Sequence, residues 1–304
     1  MGGPELPLGA TAPGPTGRVS QSRYAGAVGL FVLGALTQYV GAALAVGLFG
    51  AMPAVTVAWW RIAIAAVVLL AWRRPWRGSR DWWWRAAVFG LVLAGMNVSF
   101  YLAIDHLPLG TAVAIEFIGP VTVAALGGSG WRQRVAIGLA AAGVVTISGL
   151  GVDWGNPGTG VGLAFALLAG ASWGVYVVLG KRLAMRVNGI DALAVGMGAG
   201  ALAFAPIVFT TAGGALASPS TFLAVVGVAL LSSVIPYVLD QVNFGVLPAA
   251  TFAILLALLP ATALLIGIVM LRQVPTVGEM LGLGLISVAV VLANLPVGRA
   301  AGPA

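Results

Sequence analysis

From Tyr24 to Pro296 the chain is a succession of long apolar runs separated by short interruptions rich in Gly, Pro and charge. The run from Val135 to Val152 is apolar or Gly throughout, apart from Thr146 and Ser148. A helix crosses a bilayer in about 20 apolar residues. On that measure the pattern predicts ten spans, at approximately 24–48, 54–72, 86–104, 109–127, 135–152, 161–180, 192–212, 221–243, 250–271 and 280–296. The connections are short and marked by breakers: Gly50 and Pro53, Pro75 and Gly78, Pro108, Gly127 and Gly128, Gly155 and Pro157, Gly213 and Gly214, Pro248, and Pro275. No soluble domain fits between them. An outer-membrane barrel is excluded, because its strands alternate polar and apolar positions in segments of about ten residues. The expected fold class is an all-α membrane protein with ten transmembrane helices.

The pattern also repeats. A shift of 140 residues places Leu107-Pro108 on Leu247-Pro248, Thr111 on Thr251 and Pro120 on Pro260. The first copy opens the fourth span and the second opens the ninth, and an offset of five spans, being odd, turns the second copy over in the membrane. Two inverted five-helix repeats follow, residues 24–152 and 161–296, related by a pseudo-two-fold axis in the membrane plane, an arrangement common in secondary transporters. Residues 1–22, with Pro4, Pro7, Pro13 and Pro15 among Gly, Ser and Thr, are expected to be a disordered cytoplasmic tail rather than a cleaved signal, since apolar sequence starts only at Tyr24. Residues 297–304 are expected to be a second cytoplasmic tail.

Composition agrees with the pattern. Of the 304 residues 60% are hydrophobic and 8% charged, where a soluble domain carries roughly 25% charge. With no cysteine and one histidine, disulfides, thiolate metal sites, iron–sulfur clusters and His clusters are excluded, and no cofactor is expected. The net charge of +7 suggests nucleic acid only until the basic residues are placed. If the N-terminus is cytoplasmic, 13 Lys and Arg fall in cytoplasmic segments: Arg18, Arg23, Arg73, Arg74, Arg77, Arg80, Arg85, Arg132, Arg134, Lys181, Arg182, Arg186 and Arg299. Arg272 alone falls opposite. The positive-inside bias then predicts cytoplasmic termini and an even number of spans. Trp76, Trp82, Trp83 and Trp84 beside the densest Arg cluster read as an interfacial belt, the alternative being a patch for nucleic acid or anionic lipid.

A charged group at the bilayer centre costs at least about 2.5 kcal/mol unless paired or hydrated, which singles out Arg61, Glu116 and Asp240. Arg61 lies seven residues into the second span and Glu116 seven residues into the fourth, each roughly 10 Å deep from the same side. They are placed to pair directly or through water. Arg61 alternatively snorkels or caps backbone carbonyls, and Glu116 is alternatively a carboxyl satisfied by neighbouring helices. Asp240, in YVLDQVNF, lies near the inner end of the eighth span and is either part of the pathway or merely wet. Pro120, Pro236 and Pro260 each remove a backbone hydrogen bond, and the freed carbonyls are expected to face substrate. Gln38, Asn97, Ser99, Thr111, Ser172, Ser232 and Ser233, with the rings of Tyr39, Tyr101, Trp173, Tyr176 and Tyr237, supply polar groups for a solute cavity, although Ser and Thr in spans often bond their own helix. The cavity is expected between the first, third, fourth, sixth, eighth and ninth spans, with the fifth and tenth outside. Gly170-x3-Gly174 and Gly196-x3-Gly200 read as close helix packing. There is no HExxH, no P-loop, no Ser–His pair in one leaflet and no filter-like segment, so an enzyme or a channel is not expected. A secondary carrier is left, with a membrane-embedded receptor or assembly subunit as the alternative.

At GTAVAIEFIGP (Gly110–Pro120) and SSVIPYVLDQVNFGVLPAATFAILLALLP (Ser232–Pro260) the chain resembles the drug/metabolite transporter superfamily, specifically its EamA-type ten-helix members. Within them it is most similar to the threonine/homoserine exporter branch, whose fourth span has a similar GTAVA-E-F-GP pattern and whose eighth has PY followed by an acidic residue. The resemblance covers residues 24–296 and departs in the ninth span, where Leu256 and Leu259 stand in place of a polar or acidic residue. It implies export of a small amino acid or related metabolite across the bacterial inner membrane by exchange for protons, without ATP. Substrate binding or coupling is then expected from Glu116, Arg61, Asp240, Gln38, Asn97, Tyr101, Trp173, Tyr176 and Tyr237. Glu116 is the expected coupling carboxylate, with Arg61 its partner or the anchor for the substrate carboxylate. The expected partners are the small-molecule substrate, protons and the lipid bilayer, with no nucleic acid.

Overall fold

The computed structural model describes residues 21–76, 80–126, 130–184, 189–244 and 255–294. The tails 1–20 and 295–304, with Arg18 and Arg299, lie outside these residues, as do Arg77, Arg186 and the Leu247–Thr251 half of the repeat. Among the described residues every regular element is helical. The elements are α1 (Gln21–Leu48), α2 (Ala54–Arg73), α3 (Arg80–Ile104), α4 (Leu109–Glu116), α5 (Ile118–Leu126), α6 (Trp131–Thr146) running into a π turn (Ile147–Gly151), and α7 (Thr159–Ala184). The second half holds α8 (Gly189–Val208), α9 (Pro219–Ala229), a π turn (Leu230–Val234), α10 (Ile235–Phe244), α11 (Leu259–Leu271) and α12 (Val277–Asn294). Eight stretches among the described residues are long and apolar enough to cross a membrane, and Leu259–Leu271 and Val277–Ala293 are shorter apolar helices. Val67, Val145, Leu202 and Ile207 stand exposed on the outside of the bundle, the apolar surface that lipid, not water, accommodates.

The element ends differ from the expected spans where local chemistry intervenes. The third span starts at Arg80, not 86, because Asp81 sits in the first helical turn and pairs with Arg85 four residues on at 2.8 Å. The seventh ends at Val208, not 212, and Ala212–Leu216 forms a 3-10 turn across the Gly213-Gly214 pair. The fourth span is interrupted at Phe117, since Pro120 offers no N–H to the Glu116 carbonyl, and Pro236 has the same relation to Ser232 in the eighth. Two of the three freed carbonyls are covered. Arg61 bonds Ser232 O, and Gly170 packs on Glu116 O so closely that a Cβ would lie 2.7 Å from it.

Helix crossings use missing side chains. A Cβ on Gly90 of α3 would fall 1.9 Å from Gly196 O of α8, and one on Gly200 2.6 Å from Ala94 Cβ. Gly119 of α5 crosses Gly170 of α7 in the same way, so both glycine motifs are packing surfaces. α2 also packs on α8, α3 on α7, α4 on α11, α1 on α9, α10 and the turn between them, and α6 on α12. Turns gather at one end of the bundle: Thr56 Oγ1 lies 2.6 Å from Thr211 Oγ1, Leu109 N donates to Gln273 Oε1, and Thr276 Oγ1 donates to Gly151 O. Away from that end, Arg73 at the close of α2 pairs with Asp191 at the start of α8, Nε to Oδ1 at 2.8 Å.

Candidate functional site

Arg61 is 4% exposed in the middle of α2. Burying a guanidinium in an apolar bundle requires that its donors be used. Nε donates to Ser233 Oγ at 2.6 Å and Nη2 to Ser232 O at 2.6 Å. Tyr101, wholly buried on α3, places its ring 5.1 Å from the guanidinium carbon, a cation–π distance. Its hydroxyl lies 3.4 Å from Ser232 Oγ.

Glu116 closes α4 and is also buried. It faces the same small cavity as Arg61, lined besides by Gln38, Tyr39 and Ala42 of α1, Met96, Asn97 and Phe100 of α3, and Tyr237 of α10. Among the described residues no ion pair within 4 Å joins Arg61 to Glu116, and no hydrogen bond reaches the Glu116 carboxylate. The cavity therefore holds a cation fixed by neutral oxygens and a carboxylate without a fixed partner. Its polar rim is completed by Gln38 and by Asn97, whose Nδ2 donates back to Leu93 O at 2.7 Å and leaves Oδ1 free of that bond. The cavity volume is about 30 Å³, room for a water but not for an amino acid.

Five of the nine residues expected at the site thus come together at the cavity: Glu116, Arg61, Gln38, Asn97 and Tyr237. Tyr101 stands behind Arg61. Trp173 packs edge-on against Phe117, and Tyr176 stacks on Phe89, with centroids 4.7 Å apart in each case, and both lie outside the lining. Asp240 is half-buried one helical turn beyond Tyr237 on α10 and outside the lining. The second span contributes to the lining, whereas the sixth and the described part of the ninth do not; in the sixth, α7 crosses α5 at Gly119 and Gly170 and Trp173 packs on Phe117. Ala42, Met96 and Phe100 were not singled out by sequence, since apolar side chains at a cavity are indistinguishable there from lipid-facing ones.

The family description that matches is the EamA-like transporter family, over residues 160–295. The chain is 36% identical over 251 residues to the threonine/homoserine exporter RhtA of Escherichia coli strain K12, covering 82% of this chain and 84% of that one. It is 35% identical over 261 residues to the threonine/homoserine exporter RhtA of Salmonella typhimurium strain SL1344, covering 85% and 88%. A protein of known crystal structure superposes with a TM-score of 0.59 at 19% identity, over 88% of this chain and 96% of that one, a likeness of fold alone.

Proposed function

Because the chain belongs to the EamA-like transporter family, on the threonine/homoserine exporter branch of the drug/metabolite transporters, we propose that it exports a small neutral amino acid across the bacterial inner membrane in exchange for protons. The observation that carries this reading is the shared cavity of Arg61 and Glu116, in which neither charge is used up by the other. A substrate carboxylate binds Arg61 and its ammonium group lies toward Glu116. When the substrate leaves, Glu116 takes a proton, so the carboxylate is occupied by either the ammonium or the proton and the two fluxes are tied together. Gln38 and Asn97 are positioned to bond a side-chain hydroxyl, and Asp240 serves the route between the cavity and the cytoplasm. The chain crosses the membrane ten times in two inverted five-helix repeats, 24–152 and 161–296, with both termini cytoplasmic. Support comes from the packing: α3 on α7 has its counterpart in α10 on α1, and α2 with α8, α4 with α11, and α6 with α12 are each pairs of corresponding spans.

Reconstituted chain in vesicles tests the reading. Threonine or homoserine is expected to exchange across the membrane and to accumulate under an imposed pH gradient. Glu116→Gln is expected to keep exchange and lose gradient-driven accumulation. Arg61→Gln is expected to raise the half-saturation concentration about 30-fold, the loss of one charge-assisted contact of about 2 kcal/mol. If Glu116→Gln still accumulates threonine with unchanged pH dependence, Glu116 is structural and the coupling carboxylate must be sought at Asp240.

A further inference from the structure

Arg61 is held along one edge of its guanidinium only. Nε and Nη2, the nitrogens of the side edge, donate to Ser233 Oγ and Ser232 O, each at 2.6 Å. Two oxygens side by side are what a carboxylate presents to that edge, and here both are neutral and both come from the π turn Leu230–Val234. The sequence explains why an acceptor is available. Pro236 has no N–H, so Ser232 O, four residues earlier, has no α-helical donor. The Ser232 hydroxyl does not compete for Arg61, since it donates to Val228 O at 2.6 Å. Nη1, at the other edge, makes no hydrogen bond among the described residues, and Arg61 lines the cavity.

We propose that Ser233 and the Ser232 carbonyl form a neutral seat that aims the free edge of Arg61 at the substrate carboxylate, with Ser233 as a positioning residue for that recognition. An acidic seat would hold the guanidinium equally well and cancel the charge the substrate needs. Neutral oxygens fix its direction and leave the positive charge for the ligand. The seat also joins α2 to the interrupted eighth span, so the orientation of Arg61 depends on that turn. This inference rests on the reading that Arg61 takes the substrate carboxylate.

The test compares threonine with threoninamide, which lacks the carboxylate, as competitors of labelled threonine exchange in vesicles containing the full chain. Ser233→Ala is expected to raise the half-saturation concentration for threonine roughly tenfold, as for loss of one charge-assisted hydrogen bond, with the maximal exchange rate within about twofold. Competition by threoninamide is expected to stay as it was, so the preference for the carboxylate shrinks by the same factor. Ser233→Thr keeps the hydroxyl and is expected to restore the preference. Ser233→Cys, close in size and a poor acceptor, is expected to lose it, which separates the seat from simple packing. A full preference in Ser233→Ala or Ser233→Cys, with Arg61→Gln abolishing it, overturns the seat and spares the role of Arg61. A full preference in Arg61→Gln overturns both.

Discussion

Glu279 is 4% exposed, and neutral donors surround its carboxylate. Thr111 Oγ1 donates to Oε1 from α4, and Thr276 N donates to Oε2 at 2.8 Å. The Glu279 N–H returns a bond to Thr276 Oγ1, closing a capping box at the start of α12. The side chain thus ties two spans at one end of the bundle and stands apart from the cavity. Glu279→Ala is expected to cost about 2–3 kcal/mol of stability, read as a lower unfolding temperature in detergent, with threonine affinity unchanged in the material that folds. Thr111→Val is expected to cost less, and the double variant less than the sum of the two, since the residues share a bond. If the two effects add, that bond contributes nothing. Thr-x-x-Glu at 276–279 is legible as a capping box, but a search for charge inside apolar runs passes over it because it sits at the run's edge. Arg61 and Glu116 are legible for the opposite reason, standing in mid-span where an ion is costly. Trp173 and Tyr176 show the limit of that reasoning: a ring with a polar tip predicts a polar neighbourhood, while the direction it faces is set by the helix beside it.

At the scale of elements, contact between spans depends on where a side chain is missing. α3 carries two glycines five residues apart, and they sit in different surroundings. A Cβ at Gly90 would overlap Gly196 O, C and Cα at 1.9–2.1 Å, whereas at Gly95 it would meet nothing within 4 Å. The obstacle at Gly90 is backbone, which a rotamer change cannot remove. Gly90→Ala is therefore expected to push α3 from α8 and sharply reduce recovery of folded protein, while Gly95→Ala, with a better helix former, is neutral or slightly stabilising. Equal recovery of the two variants would show that the α3–α8 crossing is looser than described. The spacing of Gly196 and Gly200 makes one side of this contact readable from sequence, but not its partner, because a small residue announces a close neighbour without naming it. The interruptions in the fourth and eighth spans are readable from Pro120 and Pro236. The covering of their carbonyls is not, since it depends on Arg61 and Gly170 from distant parts of the chain.

At the centre of the whole molecule lies a cavity of about 30 Å³ between α1, α2, α3, α4 and α10. An amino acid does not fit, so a working cycle requires these helices to separate, first on one side and then on the other. The proposed repeats supply the means. On the proposed inversion α1 with α10 corresponds to α3 with α7, and exchanging their geometries would move the opening across the membrane. α6 and α12 interlock where a Cβ on Gly143 or Gly282 would strike the other helix's backbone within 2.8 Å, and they are expected to stay together throughout. Run lengths and the matched Leu-Pro, Thr and Pro positions make the proposed ten spans and their inversion legible as an expectation, and eight stretches of the described residues are long and apolar enough to cross. Which spans enclose the cavity is not, because nearly uniform apolar helices carry little record of the face turned inward. A cytoplasm-dependent reporter is expected to be active after Arg299 and in the loop at Arg77, and a periplasmic result at either site reverses the orientation. The chain contains no cysteine, so a single Met96→Cys reports on the cavity against no background. Its thiol is expected to react with a membrane-impermeant maleimide from either side of oriented vesicles, with threonine slowing both reactions by occupying the site. Cys at Leu202, exposed on the outer face of α8, is expected to show no such protection. Labelling from one side only, under every gradient imposed, would leave the cavity a one-sided pocket and remove alternating access from the mechanism.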